Sequence, residues 1–443
     1  MISVATQKAM GMPKGWEITE LNKVVDINPE SRDPTQNPDE KFSYIDIDSV
    51  ENGSGVITAV KEIAGKDAPS RARRVVRTDD VIMSEVRPYL KAFALVPKKL
   101  NNQICSTGFA VLRSKGAVDP KYLLNTLFSD AVIEQCNRMM VGAQYPALND
   151  SQVKKIQIHL PPLPEQRRIA AILTTVDDAV QNSRQAAVET EHLKTGVMQE
   201  LLTKGIGHKE FKDTEIGKIP ENWIFGKIIN FSKTKDEPVQ TGPFGAQLHS
   251  SDYIKMGIPL ILIKNVLDGK IIENDIPKIS LKKAEELSRY RLKSGDIVFS
   301  RVGSVGRSAV IKEHHNGWLV SGQMLRVRLE NPEISNDFLS YMIQTKWFQK
   351  ALESRIVGAT RKSINTEILS NLPAVKPNLP EQHLISSILS TIDRKLDLQR
   401  QRTTHYEQLK QGLMNELLTG RRRILHPTDE IKNEPLKVKY VPS

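Results

Sequence analysis

The side chains best suited to chemistry in this sequence are basic, amide and hydroxyl groups that follow predicted strands and glycine turns. Such groups can donate hydrogen bonds to base edges in a DNA groove, and clustered arginines suit phosphates. In the first half of the chain the candidates are Arg71, Arg73, Arg74, Arg77, Ser84, Arg87, Tyr89, Lys91, Gln144 and Tyr145. In the second half they are Gln247, His249, Tyr253, Ser300, Arg301, Ser304, Arg307, Thr360, Arg361 and Lys362. Because the two sets differ in side-chain type, we expect the two halves to read different DNA sequences. The alternative for any one of these side chains is a solvated surface position.

The sequence holds no recognisable catalytic motif. Asn331-Pro332-Glu333-Ile334 lacks the second proline and the aromatic residue of a DNA methyltransferase loop. Gly303-Ser304-Val305-Gly306 lacks the Lys-Ser/Thr pair of a phosphate-binding turn. His314-His315 has no third ligand at a suitable spacing, so we interpret it as a solvated loop. Asp79-Asp80 and Glu85 fit a turn followed by a strand better than a nuclease site. We therefore expect no catalytic residue, cofactor or metal.

A duplicated stretch organises the chain. Residues Leu163–Lys204, which begin LPEQ, return as Leu379–Gly420 at an offset of 216 without a gap, and 20 of the 42 aligned positions are identical. Apolar or small residues three or four apart predict one long helix in each copy. Proline and glutamate at the start and glycine at the end suit helix termini. Roughly 37 helical residues would form a rod of about 55 Å.

Each predicted helix needs a partner, because its apolar stripe turns polar at Ser183 and Gln399. The nearest candidate is the other copy, packed as a coiled coil, and the tandem order of the units predicts an antiparallel pair. The residues expected at helix–helix contacts are Ile172, Val176, Val180, Leu193, Leu201, Ile388, Ile392, Leu396, Leu409 and Leu417. Gly196 and Gly412 lie inside the helices, where glycine costs about 1 kcal/mol against alanine. We interpret them as points of close approach, to the other helix or to a partner subunit.

The composition favours a basic protein that acts on nucleic acid. The 443 residues carry a formal net charge of +11 with a pI near 9.3, which makes nucleic acid the leading polyanionic partner. A basic protein without a nucleic-acid role fits the charge alone equally well. Cys105 and Cys136 are too few for a disulfide framework or a zinc site. Because no apolar run has the length of a signal or membrane-spanning segment, we expect a cytoplasmic protein that does not bind membranes.

Two copies of a globular unit alternate with the two helices. Strands are predicted at 44–50 and 81–86 in the first unit and at 260–266 and 297–302 in the second. The predicted fold class is α+β, with two tandemly repeated globular domains of mixed α/β structure separated by two long helices packed as an antiparallel coiled coil. The expected boundaries are an N-terminal lead-in at 1–12, a first domain at 13–160, a first long helix at 161–205, a linker at 206–218, a second domain at 219–376, a second long helix at 377–420 and a C-terminal tail at 421–443.

Several short motifs recur in both halves in the same order. They are Trp16 and Trp223, the LPEQ helices that end in Glu-Leu-Leu-Thr, the Asp-(Ile/Val)-(Ile/Val)-x-Ser strands after Asp80 and Asp296, and Val-Gly-Ala at 141–143 and 357–359. With this layout the chain resembles the specificity subunit of type I restriction–modification enzymes, from Trp16 to about Gly420.

The resemblance implies a function for each part of the chain. Each globular domain would be a target recognition domain that reads one half of a split double-stranded DNA site. The helices would set the spacing between the half-sites and dock two methyltransferase (modification) subunits. ATP-dependent nuclease or translocase subunits are further partners in that family. The subunit itself has no catalytic centre there.

Two other functions remain open from the residues alone. One is a stand-alone DNA methyltransferase or endonuclease, which would methylate or cut DNA without a partner. The other is a coiled-coil scaffold or DNA-binding regulator, which would not copurify with a methyltransferase subunit.

Overall fold

The computed structural model describes residues 12–140, 146–234, 237–267, 269–356 and 363–424, and the chain divides into two compact units. The first unit comprises Met1–Arg184 and Gln401–Ser443, and the second comprises Gln185–Arg400. Each long helix therefore contributes its two ends to different units. Among the described residues, no helix is both long and apolar enough to cross a membrane.

The described residues of the first unit form two four-stranded sheets and a separate strand pair. Its elements are β1 (Glu17–Glu20), α1 (Leu21–Val24), β2 (Val25–Ile27), β3 (Lys41–Ile45), β4 (Lys61–Ala64), β5 (Ala72–Val76), β6 (Val81–Ser84), β7 (Phe93–Leu95), β8 (Gln103–Ser106), β9 (Phe109–Ser114), α2 (Pro120–Leu127), α3 (Asp130–Met139), α4 (Asp150–Lys154), β10 (Gln157–Leu160) and the first long helix, α5 (Leu163–Lys204). One sheet is antiparallel, in the order β2-β9-β6-β7. The other has the order β4-β3-β8-β5, with β3 and β8 parallel. Strand β1 pairs with β10, which leads directly into α5.

The second unit repeats this plan. Its elements are β11 (Phe211–Thr214), β12 (Gly217–Pro220), β13 (Ile224–Lys227), β14 (Val239–Thr241), β15 (Ile258–Ile261), β16 (Val266–Leu267), β17 (Lys270–Ile271), β18 (Lys278–Ile279), α6 (Leu281–Glu286), β19 (Ile297–Ser300), β20 (Ser308–Val310), β21 (Leu319–Val320), β22 (Met324–Val327), α7 (Asn336–Ile343), α8 (Lys346–Ser354), α9 (Thr366–Ser370), β23 (Pro373–Lys376) and the second long helix, α10 (Leu379–Leu417). The sheet β14-β22-β19-β20 matches β2-β9-β6-β7, and β13 pairs with β23 as β1 does with β10. The predicted duplication is therefore a duplication of topology for these strands, whereas a three-stranded sheet, β18-β15-β21, and the pair β16-β17 stand where the first unit has β4-β3-β8-β5.

The core of each unit includes the start of one long helix and the end of the other. In the first unit, Leu173 of α5 and Met414 of α10 are buried in one cluster with Trp16. The second unit buries Leu202 of α5 and Leu389 of α10. Because these apolar side chains are shared between helix and body, each unit depends on both helices for its core.

The glutamate of each LPEQ sequence anchors its helix to the unit. Glu165 is buried, accepts a hydrogen bond from Trp16 Nε1 (3.0 Å) and receives two from the guanidinium of Arg423 (2.8 Å each). The second unit repeats this with Trp223 (3.1 Å), Glu381 and His208 (2.8 Å). A buried carboxylate needs such partners, since an unpaired one is costly to desolvate. This explains why tryptophan and LPEQ recur together.

The glutamine after this glutamate joins the start of the long helix to the globular domain through side-chain hydrogen bonds. Gln166 Nε2 donates to the carbonyls of Ala117 (3.1 Å) and Pro161 (2.8 Å), while its Oε1 accepts the N–H of Asp119 (2.8 Å). Gln382 makes the equivalent three bonds in the second unit, with Glu333, Pro377 and Ser335. The side-chain amide is thus fully engaged at a place where helix, strand and loop meet.

Ion pairs hold the two long helices antiparallel within each unit. In the first unit, Asp177 pairs with Lys410 (2.5 Å) and Arg184 with Glu407 (2.6 Å). The residues at the offset of 216 form the same pairs in the second unit, as Asp393 with Lys194 (2.7 Å) and Arg400 with Glu191 (3.1 Å). Because the residue number falls along one helix as it rises along the other, the predicted antiparallel packing is confirmed.

The apolar stripe predicted for the helices is only partly buried. Val180, Leu396 and Leu417 are buried, and Ile172, Val176, Leu201 and Ile392 are half-buried. The structure does not support Leu193, Ile388 and Leu409 as helix contacts, because these side chains are 52%, 36% and 43% exposed.

Polar residues take the packed positions instead. Thr190 and Lys194 are buried, and Thr403 donates to Ser183 (2.9 Å). Apolar periodicity in the sequence does not reveal positions whose burial depends on hydrogen bonds and ion pairs.

The two glycines inside the long helices lie in open surroundings. A Cβ atom on Gly196 or Gly412 would meet nothing within 4 Å. Neither glycine is therefore a point of close approach to a described residue.

Candidate nucleic-acid interface

In each unit the structure brings together the segments that follow two of the recurrent motifs, the Asp-(Ile/Val)-(Ile/Val)-x-Ser strand and Val-Gly-Ala. The loop after β6 reaches the segment after the first Val-Gly-Ala, where Val86 forms a β-bridge with Ala147 and Leu148 N–H donates to the Glu85 carbonyl (2.9 Å). The second unit repeats both contacts with Val302 and Ser363 and with Ile364 and Arg301 (2.9 Å). We call residues 85–91 with 146–148, and 301–307 with 363–364, the recognition edges of the two units. Five of the predicted DNA contacts precede 146–148 or 363–364 in the sequence and lie outside the described residues: Gln144, Tyr145, Thr360, Arg361 and Lys362.

Ser84 and Ser300, at the ends of β6 and β19, were predicted to contact DNA, but the structure places both inside the loops. Ser84 and Ser300 are 1% and 0% exposed. Ser84 Oγ donates to the Val86 carbonyl (2.7 Å), while Ser300 Oγ donates to the Ser304 carbonyl and accepts the N–H of Arg307 (3.0 Å). Both hydroxyls are satisfied inside the loop, so neither reaches the surface.

The arginine cluster of the first unit is largely committed to internal ion pairs. Arg74 contacts Glu85 (2.8 Å) and Asp150 (3.2 Å), and its side chain is only 15% exposed. Arg77 makes two hydrogen bonds to Glu30, and Arg73 lies 3.5 Å from Asp33. Arg71 is exposed. The prediction that the whole cluster binds phosphates is therefore wrong for Arg74, because arginines in a dense run also serve neighbouring carboxylates.

Burial raises the pKa of the Glu85 carboxyl group. Desolvation raises the pKa of Glu85 to about 7, against the opposing effect of Arg74 and with a further upward contribution from Asp150. Desolvation would raise the pKa of Asp150, but hydrogen bonds from Asn28 and Glu85 and the charge of Arg74 together outweigh it, so the pKa is lowered. Of these two carboxyl groups, Glu85 therefore holds a proton more readily than Asp150, and it does so at the buried start of the first recognition edge.

The first recognition edge presents a tight turn with two left-handed basic residues. Arg87 and Lys91 have φ values of 47° and 58° and flank Pro88-Tyr89-Leu90, where Tyr89 is 44% exposed. Lys91 is turned inward, since its Nζ donates to the Phe128 carbonyl (3.0 Å). At the offset of 216 from Arg87, the second unit has Gly303, with φ of 69°.

The second recognition edge presents an aromatic side chain that sequence analysis missed. The guanidinium of Arg301 lies 5.1 Å from the ring centroid of Phe244, whose side chain is 52% exposed. Phe244 belongs to the glycine-rich segment 241–253, and an aromatic residue within the turn-forming sequence Gly-Pro-Phe-Gly was the available sequence signal. Arg307 and Ser304 are exposed at the same edge.

The other candidates in the glycine-rich turn have mixed environments. Gln247 is exposed and its Oε1 accepts the hydroxyl of Tyr290 (3.0 Å), and His249 is exposed. Tyr253 packs against a buried apolar cluster, and burial raises the pKa of its hydroxyl. Gln247 and His249 are therefore available for contacts, whereas Tyr253 is mainly structural.

The histidine pair has a third polar neighbour that sequence spacing could not show. Glu273 Oε1 lies 3.0 Å from His314 Nε2 and 3.1 Å from His315 Nε2. However, His315 Nδ1 accepts the N–H of Lys312 (3.3 Å), which leaves the hydrogen of the neutral ring on Nε2. That nitrogen then donates to Glu273 and has no lone pair for a metal. The cluster fits a hydrogen-bonded loop better than a metal site.

The type I restriction modification DNA specificity domain family matches residues 13–190 and 214–408, which is most of the chain. This chain belongs to that family. The specificity subunit of the type I restriction enzyme MjaVIII from Methanocaldococcus jannaschii is 29% identical over 288 residues, which are 64% of this chain and 66% of that subunit. The specificity subunit of EcoKI from Escherichia coli K12 is 22% identical over 390 residues, or 82% and 80% of the two chains.

Solved structures agree with this assignment. A chain from a study of complex assembly and conformational transition of the type I R-M system has 27% identity and a TM-score of 0.58, over 92% of this chain and 98% of that one. The S subunit from M. genitalium shares the fold, with a TM-score of 0.56 at 15% identity over 91% and 96% of the chains. The resemblance and fold class predicted from sequence are therefore confirmed, and the protein is a type I specificity subunit with two recognition domains.

Proposed function

We propose that the two recognition edges of this specificity subunit read the two halves of a bipartite double-stranded DNA site. The observation that carries the proposal is the repetition of one loop arrangement at the offset of 216 with different outward side chains. An exposed tyrosine beside a left-handed arginine marks the first edge, and a stacked phenylalanine–arginine pair marks the second. Two recognition edges that share a backbone arrangement and present different side chains are suited to reading two different half-sites.

The proposal assigns a role to each part of the chain. Residues 13–160 and 219–376 are the two target recognition domains, and the long helices set the spacing and dock two methyltransferase subunits. Gly196 and Gly412 support docking on the helices, since both lie open where a partner backbone could approach closely. The chain contributes recognition, while the catalytic methyl transfer belongs to the partner subunits.

Methylation mapping tests this function. The chain is coexpressed with its genomic methyltransferase subunit in a host without its own adenine methylation, and the methylated adenines are mapped. The expected result is one motif with two different defined halves and a constant unspecified gap. Methylation by the purified chain alone would instead indicate a stand-alone enzyme. Failure to copurify with any methyltransferase subunit would favour a regulator or scaffold.

A further inference from the structure

Phe244 and Arg301 form a cation–π pair at the second recognition edge. The ring of Phe244 is half-exposed, and the guanidinium of Arg301 lies over one of its faces at 5.1 Å. Arg301 Nε is buried and has no hydrogen-bond acceptor among the described residues. The aromatic face is therefore the group that the structure offers to orient this guanidinium, through cation–π attraction and stacking.

One turn fixes the positions of both residues. Arg301 N–H donates to the Gln323 carbonyl (3.1 Å), so the start of the recognition edge is tied to residues 321–323. Residues 242–244, which include Phe244, pack closely against the same turn. A Cβ atom on Gly242 would lie 2.2 Å from the Ser321 carbonyl oxygen, and one on Gly322 would lie 2.3 Å from the Pro243 carbonyl oxygen. Only glycine permits such close backbone contact, so the ring and the guanidinium share one rigid support.

The first unit has a different arrangement at the equivalent place. Glu85, at the offset of 216 from Arg301, is buried and turned inward to Arg74. The stacked pair is thus a feature of the second unit alone among the described residues. A contact made by it would concern one half-site and leave the other unaffected.

We propose that Arg301 reads one base pair of the second half-site and that Phe244 is the positioning residue that holds its guanidinium ready. The inference rests on the proposed function and names the residues that perform it in the second unit. An arginine already held on an aromatic face loses less rotamer freedom when it meets a base edge. Its planar fork matches the two acceptors of a guanine in the major groove. The recognised chemistry is therefore a guanine edge.

Binding measurements on the assembled complex test the pair. Duplexes carry the mapped wild-type site or single base-pair changes in either half, and affinities are compared at one salt concentration. Arg301→Ala should reduce discrimination at one guanine position of the second half-site by about 10- to 100-fold. Phe244→Leu should reduce it at the same position by a smaller factor. The combined variant should be no worse there than Arg301→Ala, because Phe244 acts through Arg301.

Matched variants separate positioning from a general surface effect. Phe244→Tyr keeps the aromatic face and should keep the discrimination. Met256→Ala removes an 82%-exposed apolar side chain from the same unit and should change nothing. The inference is overturned if Phe244→Leu weakens all duplexes equally, acts at another position, or adds independently to Arg301→Ala. A wild-type complex without preference for the mapped site would contradict the proposed function itself. Normal wild-type discrimination that Phe244→Leu leaves intact would contradict only this inference.

Discussion

At the scale of single residues, Arg87 retains a side chain where the second unit has glycine. Its φ of 47° lies in the left-handed region, which costs a non-glycine residue about 1–2 kcal/mol. Gly303 shows that the turn itself does not need a side chain there. We expect Arg87→Gly to melt at a higher temperature than Arg87→Ala, because only glycine relieves the left-handed strain once the side chain is gone. Both variants should relax the same position of the first half-site. Thermal unfolding and methylation mapping check both, and an unchanged motif in Arg87→Gly would show that the arginine does not read DNA.

Glu85 should make stability depend on pH near neutrality. Its pKa is raised from an ordinary value of 4.5 to about 7. The folded state therefore binds the proton more tightly than the unfolded state. The stabilising contribution is fully present below about 4.5 and is lost as the pH rises through about 7. Glu85→Gln cannot ionise, so the melting temperature of the wild type should fall relative to this variant between about pH 5 and pH 8. Parallel curves over that range would contradict the assignment.

At the scale of elements, the buried ion pair Asp393–Lys194 should specify the helix register in the second unit. Its side chains are 17% and 9% exposed. Asp393→Lys should cost about 3–5 kcal/mol, because two like charges would then share a desolvated site. Adding Lys194→Asp should recover most of the loss, although the bond from the Tyr341 hydroxyl (2.7 Å) to Asp393 remains broken. The control pair Arg400–Glu191 is 54% and 47% exposed, so its reversal should cost less than about 1 kcal/mol. Urea unfolding measures all three, and equal losses for both pairs would exclude a special role for the buried one.

The elements were largely predictable from sequence, whereas the side-chain environments were not. The long helices, the strand after Asp80 and its copy after Asp296 follow from periodicity and from a gapless repeat, which are local signals. Whether Arg74 faces DNA or Glu85 depends on residues far away in the chain, such as Asp150. Burial of Lys194 was likewise hidden, because its partner Asp393 lies on the other helix. Phe244 was missed for the same reason, since Arg301 is brought over its ring only by the fold.

At the scale of the whole molecule, each unit is completed by the end of a helix that begins in the other. The helices pass between units at Arg184–Gln185 and at Arg400–Gln401. The ion pairs on either side of these junctions repeat at the offset of 216, so both units accept the helix pair in the same register. A change of length in one helix alone would therefore disrupt pairs in one unit or the other. A matched change in both helices would preserve them.

A matched insertion at the two junctions tests whether the helices act as the ruler between half-sites. Four residues inserted after Arg184 and four after Arg400 add about 6 Å and roughly one turn to each helix, so the packed faces are nearly kept. Each base pair rises about 3.4 Å, and a tilted rod transmits less than its full extension. We expect the unspecified gap to lengthen by one or two base pairs while both half-site sequences stay the same. An insertion in one helix only should lower stability and abolish methylation, because the paired charges could no longer all align. Methylation mapping decides the outcome, and an unchanged gap in an active double insertion would mean that another part of the complex sets the spacing.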